Sequence, residues 1–205
     1  MAYFSDRKLL QYDIGETEFK NLEETEGMIK LLDHIQLQEL GNGAARIDDL
    51  SLVKYAIENY EDINYQELAN GAVKGGNMNI LKYIERKSVS PLNYKILANI
   101  AVKNGKINIL KYISKKVKLD FNEISGIAAY YGILDGVMFA VENGATNVNV
   151  ISANATYYDI LTIVIYAFNN GADNYEEVLE IAKKFNYVDI IDFVMESINR
   201  LNNKK

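Results

Sequence analysis

NILKYI occupies residues 79–84 and returns, letter for letter, as residues 108–113. The first copy follows GGNM and the second follows NGKI, so a glycine precedes both. Two unrelated helices have no physical reason to share six consecutive residues. An internal repeat is therefore the first hypothesis to test along the chain.

The repeat is anchored by an alanine. Ala72 and Ala101 lie four residues before Gly76 and Gly105, and the same register continues in both directions with spacings of 27 to 29 residues. Six anchors result, at Ala44, Ala72, Ala101, Ala128, Ala155 and Ala182. They predict a repeat array over residues 36–198, with one anchor in each unit.

Three further columns follow the anchors. An aliphatic residue lies four positions before each, at Leu40, Leu68, Leu97, Ile124, Ile151 and Val178. Another lies nine positions after it, at Val53, Leu81, Leu110, Val137, Val164 and Ile191. An aromatic residue lies eleven positions after it, at Tyr55, Tyr83, Tyr112, Phe139, Tyr166 and Phe193. We interpret the aromatic column as a packing ladder, because rings at repeat spacing bury area between neighbouring units.

Polar residues predict where the helices begin and end. Five units carry an N-cap candidate eight positions before the anchor, at Asn64, Asn93, Asp120, Asn147 and Asn174. Three of these precede a glutamate in capping-box position, at Glu67, Glu123 and Glu177. Turns are predicted at Gly76, Gly105 and Gly132, second helices from Asn79, Asn108, Asp135 and Asp189, and helix ends at Gly144 and Gly171. Each unit is thus helix–turn–helix–loop, and it must stack on its neighbours to bury its apolar face.

Composition narrows the classes of function. Hydrophobic residues make up 49% of the 205 residues and charged residues 24%, which is typical of a globular protein. Without cysteine the chain can form neither a disulfide nor a cysteine-ligated metal site. The net charge of −6 argues against phosphate-backbone binding, and no apolar run has the length of a membrane span. We expect an intracellular protein without a nucleic-acid or membrane partner.

The repeat resembles the ankyrin repeat. AAYYG at 128–132, VM at 137–138 and ENGA at 142–145 follow the helical frame of that family. NGAD at 170–173 and DIN at 62–64 are similar to its end-of-repeat signature. The resemblance implies an all-α solenoid of about six ankyrin-like repeats, which binds another protein on its concave helical surface and is not an enzyme.

Two departures from the family are informative. The T-P-L-H stretch that opens the usual ankyrin helix is missing from every unit. The period of 27 to 29 residues is also shorter than the usual value of about 33. The missing residues are those that build the tip of the β-hairpin finger, so we expect shortened or absent fingers. Short arrays rich in Asn, Ile and Tyr resemble those of giant DNA viruses of amoebae, which implies a viral protein.

The two ends depart from the repeat. Residues 1–35 do not align with it, and a helix over 25–35 with one apolar stripe predicts an N-terminal cap segment. A targeting or partner-docking role for residues 1–20 is the alternative interpretation. Residues 199–205 are interpreted as a polar tail that extends the last helix.

No catalytic constellation is found in the sequence. The only histidine, His34, lies beside the apolar stripe of the predicted cap and is interpreted as a partly buried structural residue. No nucleophile motif accompanies it, and no cluster has metal-ligand spacing. The glycines between 71 and 76 lack a phosphate-loop lysine and are assigned to a repeat turn. We therefore expect neither enzymatic activity nor a cofactor.

Binding residues are predicted near the end of each first helix, one turn ahead of the repeated phrase. Two positions after the anchor the chain has Arg46, Lys74, Lys103, Tyr130, Tyr157 and Lys184, and the next position adds Tyr131, Tyr158 and Phe185. The ankyrin resemblance places this column at the partner-facing groove, so Lys74, Lys103, Tyr130, Tyr131, Tyr157, Tyr158 and Lys184 are the candidate partner-binding residues. Two structural alternatives stay open: the lysines complement helix dipoles, and one tyrosine of each pair packs between repeats.

The leading functional hypothesis is an adaptor or scaffold that binds another protein, in the host cytoplasm if the protein is viral. The alternative is a structural component of a larger assembly, such as a virus particle.

Overall fold

The computed structural model describes residues 34–203, and these residues form twelve α-helices with no strand among them. In chain order the helices are α1 His34–Arg46, α2 Leu50–Asn59, α3 Tyr65–Gly75, α4 Met78–Lys87, α5 Tyr94–Lys103, α6 Ile107–Ser114, α7 Phe121–Tyr130, α8 Leu134–Glu142, α9 Val148–Tyr157, α10 Leu161–Asn169, α11 Tyr175–Phe185 and α12 Val188–Asn202. Consecutive helices pair into repeat one (α1 and α2) through repeat six (α11 and α12). The predictions of an all-α fold and of helix–turn–helix repeats are confirmed.

Parts of the predicted ends lie outside the described residues. These parts are residues 1–33 of the predicted cap segment, the side chain of His34, and residues 204–205 of the predicted tail. Residues 199–202 of the predicted tail form the last part of α12.

The chain divides between Ile100 and Ala101 into two units, each of which is compact over its described residues. In the first unit α1 packs against α2 and α3, and α3 packs against α4. In the second unit the first helices α7, α9 and α11 pack in series, and each also packs against the second helix of its own repeat. The second helices α6, α8, α10 and α12 contact one another in the same order. First helices therefore pack against first helices in both units, and second helices pack against second helices in the second unit.

The anchor alanines have a structural role in every repeat. All six side chains are buried, with 3% or less of each exposed. Each alanine carbonyl accepts a hydrogen bond of 2.8–2.9 Å from the backbone N–H five residues later, and the residue before that donor is in the left-handed conformation. The left-handed residues are Asp48, Gly76, Gly105, Gly132, Asp159 and Asn186. This is the Schellman arrangement that ends a helix. The turns predicted at three glycines are confirmed, and the other repeats use Asp or Asn, which tolerate this conformation.

All five predicted residues directly precede their helices at the N-cap position, but the expected side-chain cap bond forms in only three of the repeats. Asn64, Asn93 and Asp120 accept backbone N–H groups of the first turn at 2.9–3.3 Å. Asn147 and Asn174 make no such cap bond. Their side-chain oxygens instead accept the buried hydroxyls of Ser125 and Ser152 at 2.7 Å. Each hydroxyl also lies 2.8–2.9 Å from a carbonyl oxygen of its own helix, so the two asparagines add an acceptor from the next repeat.

Backbone N–H groups before the first helices are bonded to amide side chains of the preceding repeat, and at Asn64 this bond takes the place of the predicted capping box with Glu67. The backbone N–H of Asn64 donates to Gln38 of the preceding repeat at 2.6 Å, and that of Asn93 donates to Gln66 at 2.6 Å. Asn122 and Asn149 accept the N–H groups of Thr146 and Asp173 in the same way, at 2.8 and 3.0 Å. All four amides lie six positions before an anchor alanine, a column that the sequence interpretation missed.

The starts of four second helices and the position of Gly71 differ slightly from the predictions. Asn79, Asn108, Asp135 and Asp189 are the second residues of their helices, and no side-chain cap bond forms at the preceding N-cap positions. Gly71 lies inside α3 and not at a turn. Glycine is needed there because α1 approaches so closely that a Cβ would lie 2.6 Å from the Asn42 carbonyl oxygen. Gly144 and Gly171 adopt the predicted left-handed conformation after α8 and α10.

The second helices bury one residue more than predicted. The aliphatic column is buried in five repeats, whereas in repeat six Ile190 is buried and Ile191 only partly so. The aromatic column is half-buried except for Phe139, and the fully buried position is the next one, at Ala56, Ile84, Ile113, Ala140, Ala167 and Val194. Two lysines each contact an aromatic ring of the next repeat. Lys54 Nζ lies 5.7 Å from the centre of the Tyr83 ring, and Lys111 Nζ lies 5.9 Å from the centre of the Phe139 ring.

Candidate partner-binding surface

The candidate binding residues all lie at the ends of first helices. Lys74, Lys103, Tyr130, Tyr157 and Lys184 occupy the last two positions of α3, α5, α7, α9 and α11, and all are exposed. Tyr131 and Tyr158 are the residues directly after α7 and α9. Lys74 belongs to the unit of residues 1–100, and the other six belong to residues 101–205.

Tyr130 connects repeats four and five. Its ring meets that of Tyr158 edge-on, with centres 4.5 Å apart, and lies 4.9 Å from that of its neighbour Tyr131. The ammonium of Lys103, from repeat three, lies 5.6 Å from the centre of the Tyr131 ring. Three consecutive repeats therefore contribute to one cluster of side chains.

Tyr157 connects repeats five and six. Its ring lies 6.2 Å from that of Phe185 in an edge-on arrangement. Phe185 stacks on Tyr187 with ring centres 5.6 Å apart, and the Tyr187 hydroxyl donates to the Tyr157 carbonyl at 3.3 Å. Lys184 Nζ lies 5.5 Å from the centre of the Phe185 ring. Phe185 extends the predicted column, whereas sequence reasoning missed Tyr187. The signal for Tyr187 was an aromatic five positions after the anchor.

Both tyrosines of each pair are exposed. About half of each side chain remains accessible: 48% for Tyr130, 47% for Tyr131, 50% for Tyr157 and 48% for Tyr158. Phe185 is 44% exposed. None of the four tyrosines is buried, although Tyr130 packs against Tyr158 of the next repeat, so the alternative of packing between repeats stays open beside the binding interpretation. We call these five residues together with Tyr187 the aromatic surface.

The helix ends fix where these rings lie. The carbonyls of Ala128 and Ala155 close the turns after α7 and α9, so the chain leaves both helices in the same way. Successive turns also touch, because a Cβ at Gly132 would lie 3.2 Å from the side chain of Ile160 in the next repeat. Side chains at equivalent positions are thereby held next to each other in adjacent repeats.

One hydroxyl of the aromatic surface has a shifted pKa. The side-chain hydrogen bond with Tyr130 raises the pKa of Tyr158 to about 12 from an ordinary value of 10.0, with smaller contributions from burial and neighbouring tyrosines. Because the bond favours the neutral phenol, Tyr158 stays protonated across the physiological range.

Basic residues flank the aromatic surface. Lys103 and Lys106 belong to the helix turn of repeat three, and Lys183 and Lys184 belong to the last turn of α11 in repeat six. At the four helix ends of residues 103–106, 130–133, 157–160 and 183–187, Asp159 is the one acidic residue. The surroundings of the rings are thus locally positive on a chain whose net charge is −6.

Other kinds of site were sought among residues 34–203. No group of three or more His, Cys, Asp or Glu side chains in that range is placed to hold a metal ion. Every buried side-chain N or O atom there has a hydrogen-bond partner. None of the described helices is long and apolar enough to cross a membrane.

Comparisons with known proteins give no family assignment. Neither a protein-family model nor a curated protein matches this chain.

Proposed function

We propose that this protein is a non-enzymatic interaction module, an ankyrin-like adaptor or scaffold, and that it binds a partner protein through the aromatic surface. The observation that carries the proposal is a set of five aromatic side chains, each about half exposed, in two adjoining groups: Tyr130 with Tyr131 and Tyr158, and Tyr157 with Phe185. Exposed aromatic clusters of this kind are uncommon on a surface that meets only water.

The chemistry of tyrosine suits this role. A tyrosine offers a large rigid area and one hydrogen-bonding hydroxyl, and tyrosines are enriched among residues that dominate binding free energy. Here the rings also brace one another, since Tyr130 contacts both Tyr131 and Tyr158. Side chains that are already ordered lose less conformational entropy when a partner binds.

The repeat architecture supports the finer assignment. Six helix pairs with identical turn chemistry and short loops in place of hairpins match the frame that the sequence shares with ankyrin repeats. In that family the corresponding positions face the partner, so the family resemblance and the exposed aromatic surface lead to the same proposal.

The test is a change of two tyrosines from different repeats, Tyr130→Ala with Tyr157→Ala. A partner captured from native or infected cell extract is purified and titrated against both proteins. Truncating a residue that dominates binding costs about 2 kcal/mol, so we expect the Kd to rise about thirtyfold or more.

Val150→Ala is the matched control, because Val150 is an exposed apolar residue (50%) on α9 outside the aromatic surface. The control should leave the Kd unchanged, and all variants should have the same melting temperature as the wild-type protein. Equal affinity for the partner in the double variant and the wild type would rule out the aromatic surface.

A role inside a larger assembly makes a different prediction for size-exclusion chromatography. An adaptor elutes as a monodisperse monomer. A constitutive oligomer of the wild-type protein would favour the assembly component, with the virus particle as its location.

A further inference from the structure

The lysines beside the aromatic surface lack carboxylate partners of their own. Lys103, Lys183 and Lys184 are exposed, and Lys106 is partly exposed. None of these four lysines forms an ion pair with another residue of the range 34–203, in contrast to Arg200, which pairs with Glu196. Two of them, Lys103 and Lys184, are held over aromatic rings at the two ends of the surface. Positive charge is therefore fixed at both ends and is available to a ligand.

We propose that the aromatic surface binds an extended segment of a partner protein with a carboxylate near each end and aliphatic residues or proline between them. The inference rests on the proposed function and specifies the partner's chemistry. Each carboxylate pairs with the lysines at one end, and the apolar middle lies on the rings of Tyr130, Tyr157 and Tyr158.

The length of the segment follows from the spacing of the repeats. Packed helices lie about 8–10 Å apart, so the three steps from repeat three to repeat six cover roughly 27 Å. An extended chain advances about 3.3 Å per residue. A segment of about eight or nine residues therefore reaches from Lys103 to Lys184.

A single-stranded nucleic acid is a worse fit to the same side chains. Bases bind such surfaces by stacking on free ring faces. Here Tyr130 is packed between Tyr131 and Tyr158, and an ammonium already lies over the face of Tyr131. The net charge of −6 also opposes a polyanion once contacts extend beyond the local lysines.

The experiment selects peptides of about nine residues from a random displayed library on the full chain, and repeats the selection on the double variant Lys103→Glu with Lys184→Glu. We expect wild-type selections to be enriched in Asp or Glu near both ends. A selected acidic peptide, made synthetically, should bind the charge-reversed variant with a Kd about tenfold higher, or higher still, than its Kd for the wild type. The same peptide with Gln in place of Glu should bind both proteins alike.

The acidic peptide should also bind the wild-type protein more tightly than its Gln counterpart does, and this comparison needs no protein variant, so a folding defect cannot imitate it. Enrichment of apolar peptides without acidic ends, lost in Tyr130→Ala with Tyr157→Ala, would overturn this inference and leave the proposed function standing. Selections that are identical on the wild type and the double tyrosine variant would overturn both. Tighter binding of mixed-sequence single-stranded DNA than of any selected peptide would also overturn the inference. Val150→Ala serves as the control and should select the same peptides as the wild type.

Discussion

At the scale of the residue, the anchor alanine combines a small side chain with a particular backbone role. Ala128 is buried without any exposed area, and a Cβ added at nearby Gly136 would already lie 3.0 Å from its methyl group. Its carbonyl also closes the turn by accepting the N–H of Ile133 at 2.8 Å. The position therefore has no space for a larger side chain.

Ala128→Leu should destabilise the protein, because the added carbons have to displace Val102 or the backbone at Gly136. Overpacking of this kind costs about 1–3 kcal/mol of unfolding free energy. Gly126→Ala in the same helix is the control with the opposite sign: the nearest side-chain atom to a new Cβ is 3.9 Å away, and alanine favours a helix over glycine by about 1 kcal/mol. Urea denaturation measures both, and equal midpoints for the two variants would show that the register is wrongly assigned.

Tyr130→Phe removes the hydroxyl that raises the pKa of Tyr158. In the wild type the folded pKa is about 12, against an ordinary value of 10.0. The stabilisation from this bond is therefore fully present below pH 10 and is lost as the pH rises through 12. The pKa values of Tyr83 and Tyr166 are also raised, by burial above all, so alkaline titration followed by tyrosinate absorbance should show a late-titrating fraction in the wild type that becomes smaller in the variant. An unchanged late-titrating fraction in the variant would disprove the assigned hydrogen bond.

At the scale of the element, the same turn is built from two kinds of residue. Gly132 and Asp159 occupy equivalent positions after α7 and α9, with φ of 71° and 58°. The left-handed conformation costs an ordinary L-residue roughly 1–2 kcal/mol and costs glycine almost nothing. The turn geometry is thus imposed by the carbonyl of the anchor alanine and is only assisted by glycine.

Gly132→Ala and Asp159→Gly should therefore change stability in opposite directions. The alanine has to adopt a positive φ and places its Cβ 3.2 Å from Ile160, so we expect a loss of about 1–2 kcal/mol. The glycine relieves the same strain and should stabilise the fold by up to about 1 kcal/mol. Thermal melting of both variants would contradict this explanation if the two shifted in the same direction.

The helices and their order follow from the sequence because the repeat makes each local pattern appear several times. One copy of NILKYI is ambiguous, whereas six anchors with the same spacing locate every first helix to within a residue or two. The connections between repeats were harder to predict. In the sequence, Asn147 looks like the other N-cap residues. In the structure its side-chain oxygen accepts a hydrogen bond from the buried hydroxyl of Ser125 in the preceding repeat.

The candidate surface was only partly predictable for the same reason. The column of Tyr130 and Tyr157 was visible in the sequence, since the helix ends share one register. Tyr187 joins the surface because the turn after α11 stacks its ring on Phe185 and aims its hydroxyl at Tyr157. These contacts depend on geometry between repeats, which spacing alone does not define.

At the scale of the whole molecule, the buried residues that stabilise each repeat are separate from the exposed residues for which we propose a role in recognition. The buried columns of alanine and aliphatic residues are nearly uniform along the chain, whereas the helix-end column changes from lysine to tyrosine and back. A stack of similar units can vary one exposed column without disturbing its core. The change at repeats four and five is where we locate partner recognition.

Site-specific photocrosslinking tests this location most directly. A photoreactive phenylalanine analogue replaces Tyr131 in one variant and Val150 in a second variant. Both positions are exposed and lie in the second unit. Irradiation in native or infected cell extract should give a crosslinked protein partner from position 131 and none from position 150. Crosslinking to the same protein from position 150 alone would contradict a partner-binding role for the aromatic surface.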